Sequence, residues 1–373
     1  MILTILILVL FILYSFLMLF YYSAWKSFPD YSGHMETNNV KVSIVIAARN
    51  EEDNIGKLLQ ALQSQSYQKD FIEIIVIDDH STDRTAEIIY QHAMANVRVI
   101  RLQDDQLNSY KKKAIETGIQ AANGELIVTT DADCIPPYNW LNTIAGFYSQ
   151  KKPVFIAAPV ALTIDSTILQ IFQGLDFITL QGITAASVYK KYHAMCNGAN
   201  LAYPRKIFFE VNGFDAIDNI ASGDDMLLMQ KIANKYPPDV YYLKNRDAIV
   251  MTRPMETWKE FFNQRIRWAS KATYYQDRKI FWVLLLVYLI NLSFLFLLIA
   301  GFWNYNFWIW LAVLWVAKTI VEFPLVYSVA SFFSQRSLLK YFFFFQPLHI
   351  FYTIIAGWLG QFGSYEWKGR KVK

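Results

Sequence analysis

Apolar and polar residues alternate with different periods in successive blocks of the chain. No charged residue precedes Lys26, and an apolar run of that length crosses a bilayer as a helix. It lacks a basic leader and a small-residue cleavage site, so residues 1–25 are expected to remain as a membrane anchor. Residues 26–39, with Pro29 and Gly33, read as a linker. From residue 40 to 256 the period changes. Residues 42–48 form a β-rich run, followed by the polar turn Arg49-Asn50-Glu51-Glu52 and then by Ile55, Leu58, Leu59 and Leu62 at helical spacing. The unit recurs as residues 72–77, a polar turn at 78–83 and a helix-like stretch over 86–94, with a third strand from Val97. Residues 154–160 add another strand, and residues 168–188 a helix carrying Gln170, Gln173 and Asp176 among apolar positions. Strands alternating with helices predict an α/β fold with a mostly parallel, right-handed sheet.

The most informative stretch is 126–136, an uncharged strand-like run that ends in Asp131-Ala132-Asp133 and then in Pro136-Pro137. Prolines stop a strand, which places both carboxylates at its C-terminal mouth, where open α/β sheets hold ligands. Two further acidic pairs, Asp78/Asp79 and Asp224/Asp225, also follow predicted strands or loops. If the three converge, their charge calls for a divalent cation and the diphosphate of a nucleotide, because Mg2+ and Mn2+ favour carboxylate and phosphate oxygens. The plainer alternative is a set of solvated turns, with Ser81, Thr82 and Asp83 capping the next helix.

Composition changes the picture in the last third. Of the 373 residues 54% are hydrophobic, 17% aromatic and only 18% charged, and the excess lies in residues 281–363. Segments 281–303, 307–330 and 341–363 are each long enough to span, the second if Lys318 and Glu322 are tolerated, the third despite Gln346, Pro347 and His349. Residues 257–280 before them read as an amphipathic interfacial helix, and residues 364–373 as a basic tail. A net charge of +4 with Lys and Arg flanking the apolar segments points to an anionic membrane face and not to nucleic acid. Cys134 and Cys196 alone do not make a disulfide framework. The positive-inside rule puts Arg336 and Lys340 on the same side as the catalytic domain. It asks the same of Lys368, Arg370, Lys371 and Lys373, so the last segment is expected to bend near Pro347 as a re-entrant hairpin, with an ordinary span as the alternative. Lys318 and Glu322, one turn apart, are expected to pair.

The order of motifs resembles the inverting family 2 glycosyltransferases of GT-A fold, over about residues 42–271. The residues that carry it are the 42–51 strand and turn, Val76-Ile-Asp-Asp-His-Ser-Thr-Asp83, Lys113 to Gly118, Gly124-Glu125, Asp131-Ala-Asp133, Asn197-Gly-Ala-Asn200, Gly213-Phe-Asp215, Gly223-Asp-Asp-Met-Leu-Leu228 and Gln264-Arg-Ile-Arg-Trp268. Lys111, Lys112 and Lys113 offer phosphate a cation or form a solvated basic run, Lys113 being the substrate-binding candidate. The resemblance implies Glu51, Asp78 and Asp79 at uridine and ribose. It also implies Asp131 near the sugar diphosphate, Asp133 with Asp131 at the metal, and Asp225, with Asp224 beside it, as the base. Gln264, Arg267 and Trp268 would meet the diphosphate and sugar; their spacing puts them on one helix face. The expected activity is transfer from a nucleotide sugar, UDP-linked, to a lipid, lipid-linked or growing glycan acceptor, with Mg2+ or Mn2+ as cofactor. The setting implied is the cytoplasmic face of a bacterial inner membrane. The alternatives are a processive polysaccharide synthase subunit working with partner subunits of a glycan assembly system, and a catalytically silent membrane subunit.

Overall fold

The computed structural model describes the chain apart from residues 1, 34–38, 93–95, 105–108, 166, 221, 276, 363–364, 368–369 and 373. Lys368 and Lys373 of the basic tail therefore lie outside the described residues. In chain order the elements are α1 (Ile2–Ser27), β1 (Val42–Ala48), α2 (Ile55–Gln63), β2 (Ile72–Asp78), α3 (Thr85–Gln91), β3 (Val97–Arg101), α4 (Tyr110–Ala121), β4 (Leu126–Thr129) and α5 (Trp140–Lys151). Next come β5 (Phe155–Ala157), β6 (Val160–Leu162), α6 (Ile168–Tyr189), β7 (Leu201–Pro204), α7 (Arg205–Glu210), α8 (Met226–Lys235), β8 (Val240–Tyr242) and β9 (Val250–Thr252). Helices α9 (Trp258–Ala269), α10 (Arg278–Ala300), α11 (Asn306–Phe332) and α12 (Phe342–Phe362) precede a hairpin of β10 (Tyr365–Trp367) and β11 (Arg370–Val372).

These elements form two compact units. One holds Pro29–Thr163 and Ala194–Arg253; the other holds Met1–Phe28, Ile164–His193 and Pro254–Lys373. The contiguous domain expected over 40–256 is thus divided, because α6 belongs with the apolar helices.

The α/β unit is built on a sheet of order β3-β2-β1-β4-β7-β5-β8. Its first four strands are parallel, and β7 runs antiparallel between β4 and β5. Strand β1 buries Val42, Ile44, Val45 and Ile46, the continuous apolar run of a strand covered on both faces. Helix α4 packs there through Ala114, Ile115, Gly118 and Ile119. A Cβ on Gly118 would lie 2.5 Å from Val45 Cγ1 and 2.7 Å from Ile77 Cδ1, so this face of α4 requires glycine for its close approach to the sheet. The run 154–160, expected as one strand, is two. Pro159 has no N–H to donate and separates β5, which pairs with β7 and β8, from β6, which pairs with β9.

In the second unit four helical stretches among the described residues are long and apolar enough to cross a membrane: Ile2–Ser27, Arg278–Ala300, Asn306–Phe332 and Arg336–Gln361. Their buried charges are paired inside. Lys318 Nζ lies 2.6 Å from Glu322 Oε1 and 2.7 Å from Gln346 Oε1, while Gln346 Nε2 donates to Glu322 at 2.6 Å and Tyr14 donates to the same carboxylate. The expected pairing of Lys318 with Glu322 is what the structure contains. A second buried set joins three helices: Arg265 of α9 donates to Asp176 of α6 through Nε at 3.1 Å and Nη2 at 2.7 Å, and Tyr352 of α12 donates to the same carboxylate. The bend expected at Pro347 is absent, since α12 runs unbroken from Phe342 to Phe362. Pro347 sits in the second turn, where it removes a single backbone N–H, and its neighbour Gln346 is held by Lys318 and Glu322.

Removing one member of a buried ion pair leaves an uncompensated charge, at a cost of roughly 3–5 kcal/mol. Lys318→Met is therefore expected to lower the melting temperature of the detergent-solubilised protein, and Lys318→Met/Glu322→Gln to recover most of the loss. Equal melting temperatures for the single and double variants would contradict this pairing.

Candidate functional site

The C-terminal ends of the parallel strands gather the acidic residues. Strand β1 pairs with both β2 and β4, so the turns after Ala48, Asp78 and Thr129 are neighbours. The chain extends to opposite sides of β1 through β2 and β4, and such a switch point leaves a crevice at the strand ends.

On the β2 side, Asp78 and Asp79 are each only 2% exposed. Asp78 Oδ1 accepts the Ser81 N–H at 3.1 Å, and Asp79 Oδ1 lies 3.0 Å from His80 Nδ1. Arg49 Nη1 donates to the carbonyls of Asp79 at 2.9 Å and His80 at 3.2 Å, tying the two turns together. Glu51 is half-buried; its N–H donates to Thr85 Oγ1 at 2.7 Å and its Oε2 accepts from Asn54 Nδ2 at 2.8 Å. Asp83 accepts the Thr85 N–H at 3.0 Å at the start of α3, the contact that the plainer reading of this turn as a helix cap calls for.

On the β4 side one lysine joins two acidic clusters. Lys111 Nζ is 2.7 Å from Asp131 Oδ1 and 3.1 Å from Asp224 Oδ2. Burial opposes its charge, but Asp131 and Asp224 outweigh that and hold the ammonium above its usual range. Asp225 stands next to this pair as the N-cap of α8, its Oδ1 accepting the Met226 N–H at 2.7 Å and its Oδ2 the Gly198 N–H at 2.9 Å. Gly223, at φ +81°, makes the left-handed step that turns the chain into Asp224 and Asp225. Asp131, Asp224 and Asp225 are thus brought together by Lys111 and the Asn197-Gly198 turn. Asp133 lies two residues beyond Asp131, its Oδ1 3.6 Å from Cys134 Sγ. Burial and the two carboxylates raise the Cys134 thiol well above its usual range, and both cysteines are free.

Lys113, expected at phosphate, places its ammonium 3.7 Å from Asp104 Oδ2. Lys111 and Lys112, the other members of this basic run, reach the loop of Asp224 and Asp225. Their signal was the register of α4: Lys112, Ala114, Ile115, Gly118 and Ile119 form the buried side, and Lys111 is one helical turn from Ile115, whereas Lys113 aligns with Glu116 and Gln120. Burial pulls the Lys112 amine down to about 8, against the opposing influence of Asp224, Asp225 and Asp218.

Gln264, Arg267 and Trp268 are carried by α9, in the unit of apolar helices. All three are half-buried, and the fully buried positions of the helix are Phe261, Arg265 and Ile266. Arg265, a residue the sequence did not single out, donates through Nη1 to Gln264 Oε1 at 2.7 Å. Its guanidinium also stacks 4.3 Å from the Trp268 ring centroid. A capping box of Thr257 and Glu260 starts this helix.

The family described as Glycosyl transferase family 2 matches residues 43–208, and Glycosyl transferase family group 2 matches residues 126–333. The chain is a family 2 glycosyltransferase. It is 28% identical over 240 residues to "Probable glycosyltransferase YdaM" of Bacillus subtilis, covering 63% of this chain and 56% of the relative. It is 26% identical over 236 residues to a poly-beta-1,6-N-acetyl-D-glucosamine synthase of Staphylococcus aureus, covering 61% and 54%. A shorter stretch of 122 residues is 31% identical to the beta-monoglucosyldiacylglycerol synthase of Synechocystis, covering 32% and 25%. The chain therefore spans between a quarter and about half of the length of these relatives. Among solved structures, a mannosyltransferase of Pyrobaculum calidifontis, in complex with GDP-Man and Mn2+, superposes with a TM-score of 0.59 at 17% identity, covering 95% of this chain and 97% of that one. The fold of the glycosyltransferase is accordingly GT-A, with apolar helices attached.

Among the described residues no cluster of three or more His, Cys, Asp or Glu side chains is placed to hold a metal ion. The donors present still fit one. Mg2+ is commonly bound through one or two carboxylates together with substrate phosphates, and the turn supplies Asp133 beside Asp131, whose Oδ1 is already engaged by Lys111.

The two lysines separate experimentally. Lys111→Gln, which leaves Asp131 and Asp224 facing one another without a cation, is expected to lower kcat/KM roughly 10- to 100-fold, the value of one or two charge-assisted hydrogen bonds. Lys113→Gln loses an exposed pair and should stay within about threefold of the parent. Steady-state transfer assays on both variants check this.

Proposed function

We propose that the enzyme moves a hexosyl or N-acetylhexosaminyl group from a UDP-linked nucleotide sugar to a lipid or lipid-linked acceptor, at the cytoplasmic face of a membrane and with inversion at the anomeric carbon. The observation that carries this reading is the contrast between two adjacent carboxylates. Asp224 is ion-paired with Lys111 at 3.1 Å, whereas Asp225 makes no ion pair among the described residues and is oriented by two backbone N–H groups. A carboxylate that no ion pair engages is available to accept a proton and suits the role of general base.

The chemistry follows from that assignment. The acceptor hydroxyl oxygen forms a bond to the anomeric carbon while the bond from that carbon to the diphosphate oxygen breaks. The electron pair leaves with the nucleoside diphosphate, and the hydroxyl proton passes to Asp225. Glu51, Asp78 and Asp79 are assigned to the uridine and ribose, Asp131 to the region of the sugar diphosphate. A divalent cation, Mg2+ or Mn2+, would be held by Asp133 and Asp131 and would neutralise charge on the leaving diphosphate. Gln264, Arg267 and Trp268 are assigned to the diphosphate and the sugar ring, since a cation and an indole suit those partners.

The acceptor is assigned from the apolar helices. Four helical stretches able to cross a membrane are few for enclosing a polymer channel but enough to hold the enzyme at a lipid acceptor. The relatives named for poly-β-1,6-N-acetylglucosamine synthesis support a second reading, a processive synthase subunit with partner subunits. Incubating membranes with a panel of labelled nucleotide sugars separates the two: label in a short lipid fraction supports the first, label in a long polymer the second.

Two variants test the roles. Asp225→Asn is expected to lower transfer by about 10²- to 10⁴-fold, the contribution of a general base, with nucleotide binding nearly intact. Near-normal transfer by this variant, or an equal loss in Asp224→Asn, would move the base elsewhere. Asp133→Ala should weaken donor binding as well as turnover, and full activity in excess EDTA would remove the metal from the scheme.

A further inference from the structure

Lys112 is the buried member of the lysine pair on α4. Its side chain is 1% exposed, and its ammonium donates to the carbonyls of Ile217 at 2.6 Å, Ile220 at 2.6 Å and Ser222 at 3.0 Å. An ammonium has three N–H groups, and here each has a backbone acceptor. The three acceptors belong to the segment that leads directly into Gly223, Asp224 and Asp225. No other charged group lies on the buried side of α4, where Ala114, Ile115, Gly118 and Ile119 are small or apolar. Burying an ammonium is expensive unless its donors are satisfied, and the core of α4 has no need of one. What the charge does is gather the carbonyls of Ile217, Ile220 and Ser222 at one point.

We propose that Lys112 is a positioning residue for the reaction: it fixes the backbone of Ile217, Ile220 and Ser222 so that Gly223 delivers Asp225 to the acceptor side of the crevice. Asp225 is then held from two directions, by the Gly198 N–H on its Oδ2 and by the anchored segment behind it. Lys111 and Lys112 divide the work of one helical turn. The first pairs with the Asp224 side chain, the second with the backbone that precedes it. The inference rests on the reading of Asp225 as the base.

The test uses the full chain in membranes or detergent. Misplacing a reacting group by about 1 Å can cost 10²-fold in rate, so Lys112→Met is expected to lower kcat about 10- to 100-fold while the KM for the nucleotide sugar and the affinity for the nucleoside diphosphate change by less than about threefold. Lys112→Arg, whose guanidinium has five N–H groups for the same carbonyls, should recover most of the lost kcat. In an Asp225→Asn background, removal of Lys112 should cost nothing further. Amide hydrogen exchange over residues 217–222 should rise in Lys112→Met with β1 and β4 unchanged. If Lys112→Met does not accumulate as folded protein, Lys112→Gln is read by the same criteria. An unchanged kcat overturns the proposal, and so does a loss of kcat, nucleotide affinity and melting temperature together that Arg does not rescue. The two readings fail separately. An Asp225→Asn enzyme that transfers normally removes the base assignment and this inference with it; an inactive Asp225→Asn enzyme beside an unimpaired Lys112→Met removes the positioning role alone.

Discussion

The α/β unit depends on compensating the negative charge that its own topology concentrates. Parallel strands deliver their C-terminal turns to one edge, and the turns after β1, β2 and β4 all carry carboxylates. At an effective dielectric constant of 20, like charges 4 Å apart repel by about 4 kcal/mol. Lys111 relieves this by lying between Asp131 and Asp224, at 2.7 Å and 3.1 Å. The placement of α4 follows from the same requirement. A glycine at 118 lets the helix approach β1 and β2 closely, and that approach brings the start of the helix, with its lysines, to the carboxylates. Packing and electrostatics there are one arrangement.

The unit of apolar helices meets the opposite problem, since polar groups there have little water to turn to. Two buried charged sets are answered by partners from other helices: Lys318 and Glu322 by Gln346 and Tyr14, Asp176 by Arg265 and Tyr352. Buried pairs of this kind add little net stability over apolar packing, but they penalise any register in which one partner is missing. In α9 that constraint reaches the motif itself. Arg265, held by Asp176, in turn holds the Gln264 amide and stacks on Trp268, so two residues assigned to substrate are oriented by a third that is itself buried.

Much of this was legible in the sequence wherever a short-range rule applied. Strand β1 was readable because its apolar run is continuous, and the position of Asp131 and Asp133 after β4 because the uncharged run stops at them, although the strand ends at Thr129, well before the prolines. The pairing of Lys318 with Glu322 followed from a spacing of four. What failed needed longer-range information. The division of residues 154–160 into β5 and β6 depends on which strands come to pair with each side of Pro159. The capture of α6 by the apolar helices depends on Arg265 and Tyr352, far along the chain. Pro347 was expected to break its helix because proline removes a hydrogen bond, but a single lost bond is small beside the packing of Phe345 and Leu348 against the cluster of Phe172, Phe261 and Tyr352.

The run Lys111-Lys112-Lys113 shows why composition could not rank these side chains. All three are chemically identical, and a basic run in a polar turn reads as solvated. A helix starting at Tyr110 gives them three different directions. Lys113 points out to Asp104, Lys111 lies along the rim between two carboxylates, and Lys112 passes into the interior to meet three carbonyls. Each successive residue on a helix turns by about 100°, so the separation is a consequence of α-helical geometry alone, once the start of the helix is known. The apolar residues that follow reveal that start, because Ile115, Gly118 and Ile119 must face the sheet. Functional side chains on amphipathic helices are best located by counting back from the buried face, and the lysine that counts as most unusual for its position is the one that the core has the least reason to keep.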